Sequence, residues 1–185
     1  NGQPDLYDSD GMRLIAKRFA GSVNQQLGLS SPNTAGCIRN DNSNGAMPYL
    51  KTNVKTHGAW LCTYSNLQQL IACVKATPEG TKNLIIGAHG CPDAAGPLNT
   101  SNYQGVAEAV KEKGITHIGI ASCSVGGNAK SKGSMPYLLS KASGADVTSY
   151  NIPVYSSPED FSVSRGTIAY TWSNKESGRD TNHIG

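Results

Sequence analysis

Asn83-Leu84-Ile85-Ile86-Gly87-Ala88-His89-Gly90 is a short apolar run that stops abruptly on a histidine and a glycine. Its aliphatic residues are consecutive rather than alternating, which fits a strand covered on both faces, the kind found inside parallel sheets. Working outward, Tyr103, Val106, Ala107 and Val110 follow at helical spacing, and Gly114 suits the stop of that helix. Ile115 to Ser122 reads as the next strand, leading to Cys123 and the Gly126-Gly127 turn. A further helix from about Ser134 carries Met135, Leu138, Leu139 and Ala142, with Pro136 tolerated in its first turn, and ends at Gly144. Ala145 to Tyr150 is another strand.

Towards the N-terminus, Ala59 to Tyr64 reads as a strand. Ser65 or Asn66 then caps a helix bearing Leu67, Leu70, Ile71 and Val74, which ends at Thr77-Pro78. Alternating strands and helices predict an α/β fold with a mainly parallel sheet and helices on both faces. Ile15, Phe19, Val23 and Leu27 recur at every fourth position, predicting a first helix over residues 10 to 28. Residues 29 to 57 are crowded with Asn, Ser, Thr, Gly and Pro and read as a long surface loop. Ile152 to Trp172 is expected to form a hairpin turning near Arg165-Gly166, and the last dozen polar residues are expected to fray. The division is therefore an N-terminal helix and loop, 1–57, packed on a main domain, 58–185, within one structural domain.

Composition excludes several classes. A chain of 185 residues buries roughly 70% of its unfolded surface, ample for a core. Its 21 Gly and 9 Pro fall well short of the roughly 25% at which low complexity is the better reading. No apolar run approaches the roughly 20 residues of a membrane helix. Sixteen basic against 13 acidic residues give +3, with basic clusters only at Lys111 to Lys113 and Lys130 to Lys132, too little for a nucleic-acid face. The chain opens at Asn1 without a signal-like segment and reads as a processed product or an excised module. Of five cysteines, Cys37, Cys62, Cys73 and Cys91 could form two bridges in any of three pairings or remain small buried groups. Asn99-Thr100-Ser101 matches a glycosylation acceptor, a pattern frequent by chance.

Ligands of such sheets bind beyond the carboxyl ends of the strands. His89 and Cys123 each follow an apolar strand and are separated by one strand-helix-strand unit, so neighbouring strands would bring imidazole and thiol together. Cys123 is then the candidate nucleophile and His89 the proton-transfer group. The N–H groups of Gly90 and Cys123 would bind an oxyanion. No third residue stands out to orient the histidine, which favours a dyad.

The blocks 83–90 and 117–124, His117-Ile-Gly-Ile-Ala-Ser-Cys-Ser124, resemble the "apolar strand, His-Gly" and "apolar strand, Cys" signatures of clan CD cysteine peptidases. That group includes caspases, gingipains, clostripain and the self-processing cysteine protease domains of large bacterial toxins. The toxin domains are the most similar, through Cys123-Ser124-Val125 and then Lys130-Ser131-Lys132-Gly133 ahead of a helix and a strand. The resemblance covers roughly residues 59 to 160. It implies a three-layer caspase-like fold, catalysis by His89, Cys123 and Gly90, and a pocket for the residue before the scissile bond bordered by Thr148, Ser149, Tyr150 and Asn151. It implies a polypeptide substrate, with the parent chain of a secreted or delivered toxin as one candidate, and no metal or cofactor. The Lys-rich flap that binds inositol hexakisphosphate in the toxin domains is not matched, since Pro153 to Trp172 is short with Arg165 as its only basic residue, so a polyanion activator is not expected.

Competing readings are plainer. Cys91 is the rival nucleophile, more simply a loop thiol or half of a disulfide. His57 precedes a strand and belongs to the opposite edge; His117 and His183 read as bystanders. A zinc site on His89, Cys91 and Cys123 lacks a fourth ligand. Asp93 and Asp146 would suit a basic substrate side chain but more simply face water, as do Lys130 and Lys132. Functionally, the alternatives are a catalytically inactive caspase-like module binding through the 29–57 loop, and a Cys-His deamidase or other acyl-transfer enzyme.

Overall fold

The computed structural model describes residues 6–7, 11–128, 131–151, 154–156 and 161–174. Lys130, His183 and nearly all of the tail expected to fray lie outside them. The elements in chain order are β1 (Leu6–Tyr7), β2 (Met12–Ser22), α1 (Val23–Gln26), β3 (Thr34–Arg39), α2 (Ala46–Thr56), β4 (Trp60–Tyr64), α3 (Leu67–Lys75) and β5 (Asn83–Gly87). Three two-residue strands follow, β6 (Gly90–Cys91), β7 (Ala94–Ala95) and β8 (Leu98–Asn99), which pair into a small sheet of their own. Then come α4 (Gln104–Lys113), β9 (His117–Ala121), a 3-10 turn at Val125–Asn128, α5 (Met135–Ser143), β10 (Asp146–Tyr150), β11 (Val154–Ser156) and β12 (Phe161–Asn174).

The chain is mixed α/β, with a central sheet ordered β1-β2-β12-β10-β9-β5-β3-β4. From β4 to β10 every pairing is parallel; β12, β2 and β1 extend the sheet antiparallel. Alternate residues of the parallel strands feed two cores, as a sheet covered on both faces requires. Leu84, Ile86, Ile118 and Ile120 join Leu70, Val74, Val106, Val110 and Leu139 from α3, α4 and α5 on one face. Ile38, Ile85 and Ala121 join Met47, Leu50 and Val54 of α2 on the other. Of the crossover helices, α2 lies on one face and α3, α4 and α5 on the other, as crossovers of a single hand produce when the strand order reverses once, between β3 and β5.

The helix ends follow from local chemistry. The Asn66 side chain accepts from the N–H of Gln69 and that of Ser134 from Tyr137, while Gly114 and Gly144 close α4 and α5 in the left-handed conformation.

Three peripheral expectations are corrected. The segment expected to be a helix over 10–28 is mostly β2, because Met12, Leu14 and Ala16 alternate into a third core with Tyr170 and Trp172, and this period of two outweighs the every-fourth-residue row. Within that core Tyr137 and Trp172 meet edge to face with centroids 4.8 Å apart. The stretch read as a loop over 29–57 contains β3, which sits inside the sheet between β5 and β4, and α2, whose Met47, Leu50 and Val54 are spaced i, i+3, i+7. The C-terminal hairpin exists, but β11 pairs with Phe161 to Val163, so its connection is 157–160, and Arg165-Gly166 lies within β12.

A disulfide joins Cys62 of β4 to Cys73 of α3, with Cα atoms 5.7 Å apart, and Cys37, Cys91 and Cys123 are free. Closing a loop of this length removes about 3 kcal/mol of unfolded-state entropy. Replacing both cysteines by alanine is therefore expected to lower the urea midpoint correspondingly; an unchanged midpoint would show that the bridge adds nothing.

Candidate active site

The strand order reverses between β3 and β5, and ligands of such sheets bind beyond the carboxyl ends of the strands at that point. Three adjacent parallel strands deliver polar residues to that rim. Ile38, Gly87 and Ala121 are register partners across β3, β5 and β9, and two residues beyond the last two strands stand His89 and Cys123. Two residues beyond the end of β3 stands Asp41. The imidazole and the thiol thus leave neighbouring strands on one edge of one sheet.

The backbone beneath them is tied down. Ser122 donates its hydroxyl to the carbonyl of Ala88 at 2.7 Å, linking the two strand ends. Gly96 N–H donates to the carbonyl of His89 at 2.8 Å from the small β6-β7 sheet. Gly90 packs so closely against the Cys123 carbonyl that a β-carbon there would lie 2.7 Å from it. Directly after Cys123, Ser124 takes φ +58°, a left-handed conformation costly for a residue with a β-carbon, and the 3-10 turn begins. This sharp reversal leaves Cys123 at the apex of a strand-to-turn bend.

Asp41 is the residue that sequence reasoning missed. Its Oδ2 lies 3.9 Å from Nε2 of His89, an ion pair when the imidazole is protonated, with the side chains 24% and 33% exposed. That nitrogen is buried and makes no hydrogen bond among the described residues. The Asp41 carboxyl is held below its ordinary range by hydrogen bonds from Ser43, aided by the nearby His89 and Arg39 charges and opposed by partial desolvation. A side-chain carbon NMR titration should give a midpoint under the ordinary 3.8. With a depressed acid, the stabilisation is complete above that ordinary value and disappears as pH falls through the lowered midpoint. A midpoint at or above 3.8 would remove Ser43 and His89 as its partners.

The Cys123 thiol, half-buried, donates to the main-chain oxygen of Val154 in β11 at 3.6 Å rather than to His89. Val154 itself packs against the core shared with α2. This contact had no signal in the sequence, because it depends on the hairpin folding back over the rim. Asp41 did have one: the short run Thr34 to Ile38 ahead of Asn40-Asp41 has the form of the other buried strands but sits among polar neighbours.

The remaining candidates divide by depth. Thr148 and Tyr150 are buried beneath the rim; the Thr148 hydroxyl lies 2.9 Å from Nε2 of His117 and 2.8 Å from Thr171, and burial pushes the Tyr150 phenol upward. Ser149 is buried under Gly126, whose added β-carbon would lie 3.0 Å from its hydroxyl oxygen. Asn151 is half-buried and its side chain accepts from the N–H of Ile168 at 2.9 Å. His117 is buried between Asn83 and Thr148, and His57 caps α2 with Nδ1 2.8 Å from the Asn53 carbonyl. Asp93 accepts from the N–H of Met135 at the start of α5, and Asp146 is fully buried rather than facing water.

The three thiols are chemically unlike. Desolvation pushes Cys37 up to about 12, so it stays a neutral core group, whereas Cys91 is exposed. Iodoacetamide on the native protein is therefore expected to label Cys91 and Cys123 and spare Cys37; early labelling of Cys37 would contradict its burial.

Among the described residues no three His, Cys, Asp or Glu side chains are grouped to hold a metal ion, and no helix is long and apolar enough to cross a membrane. In comparisons with known proteins, the chain matches no family model and no curated sequence.

Proposed function

We propose that the chain is a cysteine endopeptidase of caspase-like fold that cuts peptide bonds with Cys123 and His89. The observation that carries this reading is the exit of thiol and imidazole from adjacent, in-register parallel strands, β9 and β5, on one edge of the sheet, β5 also bordering the point where strand order reverses. In the reaction, the Cys123 sulfur attacks the peptide carbonyl carbon as its proton passes to His89. Charge that develops on the oxygen is met by the N–H groups of Gly90 and Cys123. His89 then gives the proton to the departing amine as the C–N bond breaks, leaving a thioester that water hydrolyses. Asp41, 3.9 Å from the imidazole, acts as a positioning residue for His89. With Thr148, Ser149 and Tyr150 buried, the substrate side chain would border Asn151, the one of the four that is half-buried.

The Cys62–Cys73 bridge supports an oxidising destination, consistent with a secreted or delivered module that processes its own parent polypeptide. The test is a peptide-library profile read by mass. Backbone scission that depends on Cys123 is expected; products heavier by about one dalton with intact backbones would instead mark a deamidase.

The Val154 contact favours one second reading, a caspase-like module whose thiol is idle and which serves binding. The alkylation rate of Cys123 at neutral pH separates the two. An activated thiol reacts faster than Cys91, and a masked one more slowly.

A further inference from the structure

Cys37 is a nucleophilic group that the proposed reaction does not use. It is fully buried in the middle of β3, and its register partner on β4 is Cys62, one half of the disulfide. Register partners on adjacent parallel strands project to the same face, with Cα atoms about 4.8 Å apart. That spacing lies inside the roughly 4.4–6.8 Å that a disulfide spans. The other half, Cys73, comes down onto the same face from α3: Cys37 and Cys73 are buried in one core, and Cys62 packs against it. One thiol and one disulfide therefore share a single patch of the core, whereas Cys91 and Cys123 lie beyond the carboxyl ends of β5 and β9.

We propose that Cys37 is the internal exchange partner of this disulfide, so that the bridge passes between Cys62–Cys73 and Cys62–Cys37. In the step the Cys37 sulfur, having given up its proton, attacks the Cys62 sulfur. The S–S bond to Cys73 breaks as the new one forms, and the Cys73 sulfur leaves with the electron pair and takes up a proton. One thiol and one disulfide stand on each side, so no oxidant or reductant is consumed. The consequence is mechanical. The present bridge ties α3 to β4, whereas the exchanged one ties β4 to β3, the strand that leads to Asp41, and releases α3. This inference is independent of the peptidase reading.

Burial controls the rate. Desolvation pushes Cys37 up to about 12, and Tyr64, its titratable neighbour on β4, is pushed upward by its own burial, so neither is charged near neutrality. β4 is the last strand of the sheet and pairs only with β3 among the described residues, so local opening of that edge is the route by which the Cys37 sulfur ionises and reacts.

The test is disulfide mapping of the full chain. Protein held between about pH 7 and about pH 9 without added oxidant is quenched in acid, unfolded, capped with N-ethylmaleimide at mildly acidic pH and digested without reduction. A peptide pair joining Cys37 to Cys62, with the maleimide on Cys73, should appear about tenfold faster for each unit of pH as the thiolate fraction grows. Cys73→Ala oxidised with glutathione disulfide should close the Cys37–Cys62 bridge, and Cys37→Ala should keep Cys62–Cys73 alone. Only the Cys62–Cys73 pair in the wild type at every pH, or a first new bridge from Cys62 to Cys91 or Cys123, would overturn the proposal. So would a Cys73→Ala variant that pairs Cys62 with glutathione but never with Cys37.

Discussion

Cys123→Ala is expected to lower peptide cleavage by at least about 10⁴-fold, because without the sulfur no thioester can form and only binding and oxyanion stabilisation remain. Folding should hardly change. The half-buried thiol contributes one long bond to the Val154 oxygen, so its loss costs roughly 1 kcal/mol or less. His89→Ala should cost about 10² to 10⁴ in rate, the usual worth of a proton-transfer group. The double variant should be little worse than Cys123→Ala alone, since the two act as a unit. Asp41→Asn keeps the shape and removes the charge. For a partly exposed pair 3.9 Å apart a drop of about fivefold follows, larger at low salt. Full activity in Cys123→Ala would end the proposal; additive losses from Cys123 and His89 would show that they do not share a step.

The parts of the fold that were legible in the sequence are those where one period dominates. α3, α4 and α5 each show an uninterrupted apolar row and a recognisable stop, and β5 and β9 are short runs with no polar side chain at the centre. Tertiary context decided the remainder. β2 contains both an every-fourth-residue row and an alternation, and only pairing with β12 selects the second. β3 was hidden by its flanks. Its Gly36 reads as a breaker, yet it serves close packing, since a β-carbon there would lie 3.0 Å from Val54 of α2. Missing β3 had a direct chemical consequence: with that strand unread, Asp41 had no place on the rim, and the histidine was left without a carboxylate. The placement of His89 beside Cys123 was legible for the opposite reason. It required only that two consecutive buried strands be neighbours, which is the commonest outcome of a strand-helix-strand unit.

Gly90→Ala should combine a large loss of activity with a modest loss of stability. The added methyl would lie 2.7 Å from the Cys123 carbonyl oxygen, 2.8 Å from Cβ of Ser122 and 3.0 Å from a methyl of Val125. The first of these is main chain, so no rotamer change relieves it, and the β6 end of the small sheet must move off the Cys123 turn. Overpacking of this kind costs about 1–3 kcal/mol. The same movement carries the Gly90 N–H away from the reacting carbonyl, and loss of one such donor lowers turnover by about 10²–10³-fold. Gly127→Ala is the matched control. It lies on the same turn, but among the described residues its added methyl would meet only the Pro92 ring at 3.4 Å, an ordinary contact, so rate and unfolding midpoint should both stay near wild type. Steady-state kinetics and urea unfolding on the two variants separate the outcomes. If Gly90→Ala were as stable as expected but cleaved peptide within threefold of wild type, Gly90 would not hold the oxyanion, and the donor would have to be sought among the N–H groups that follow Cys123.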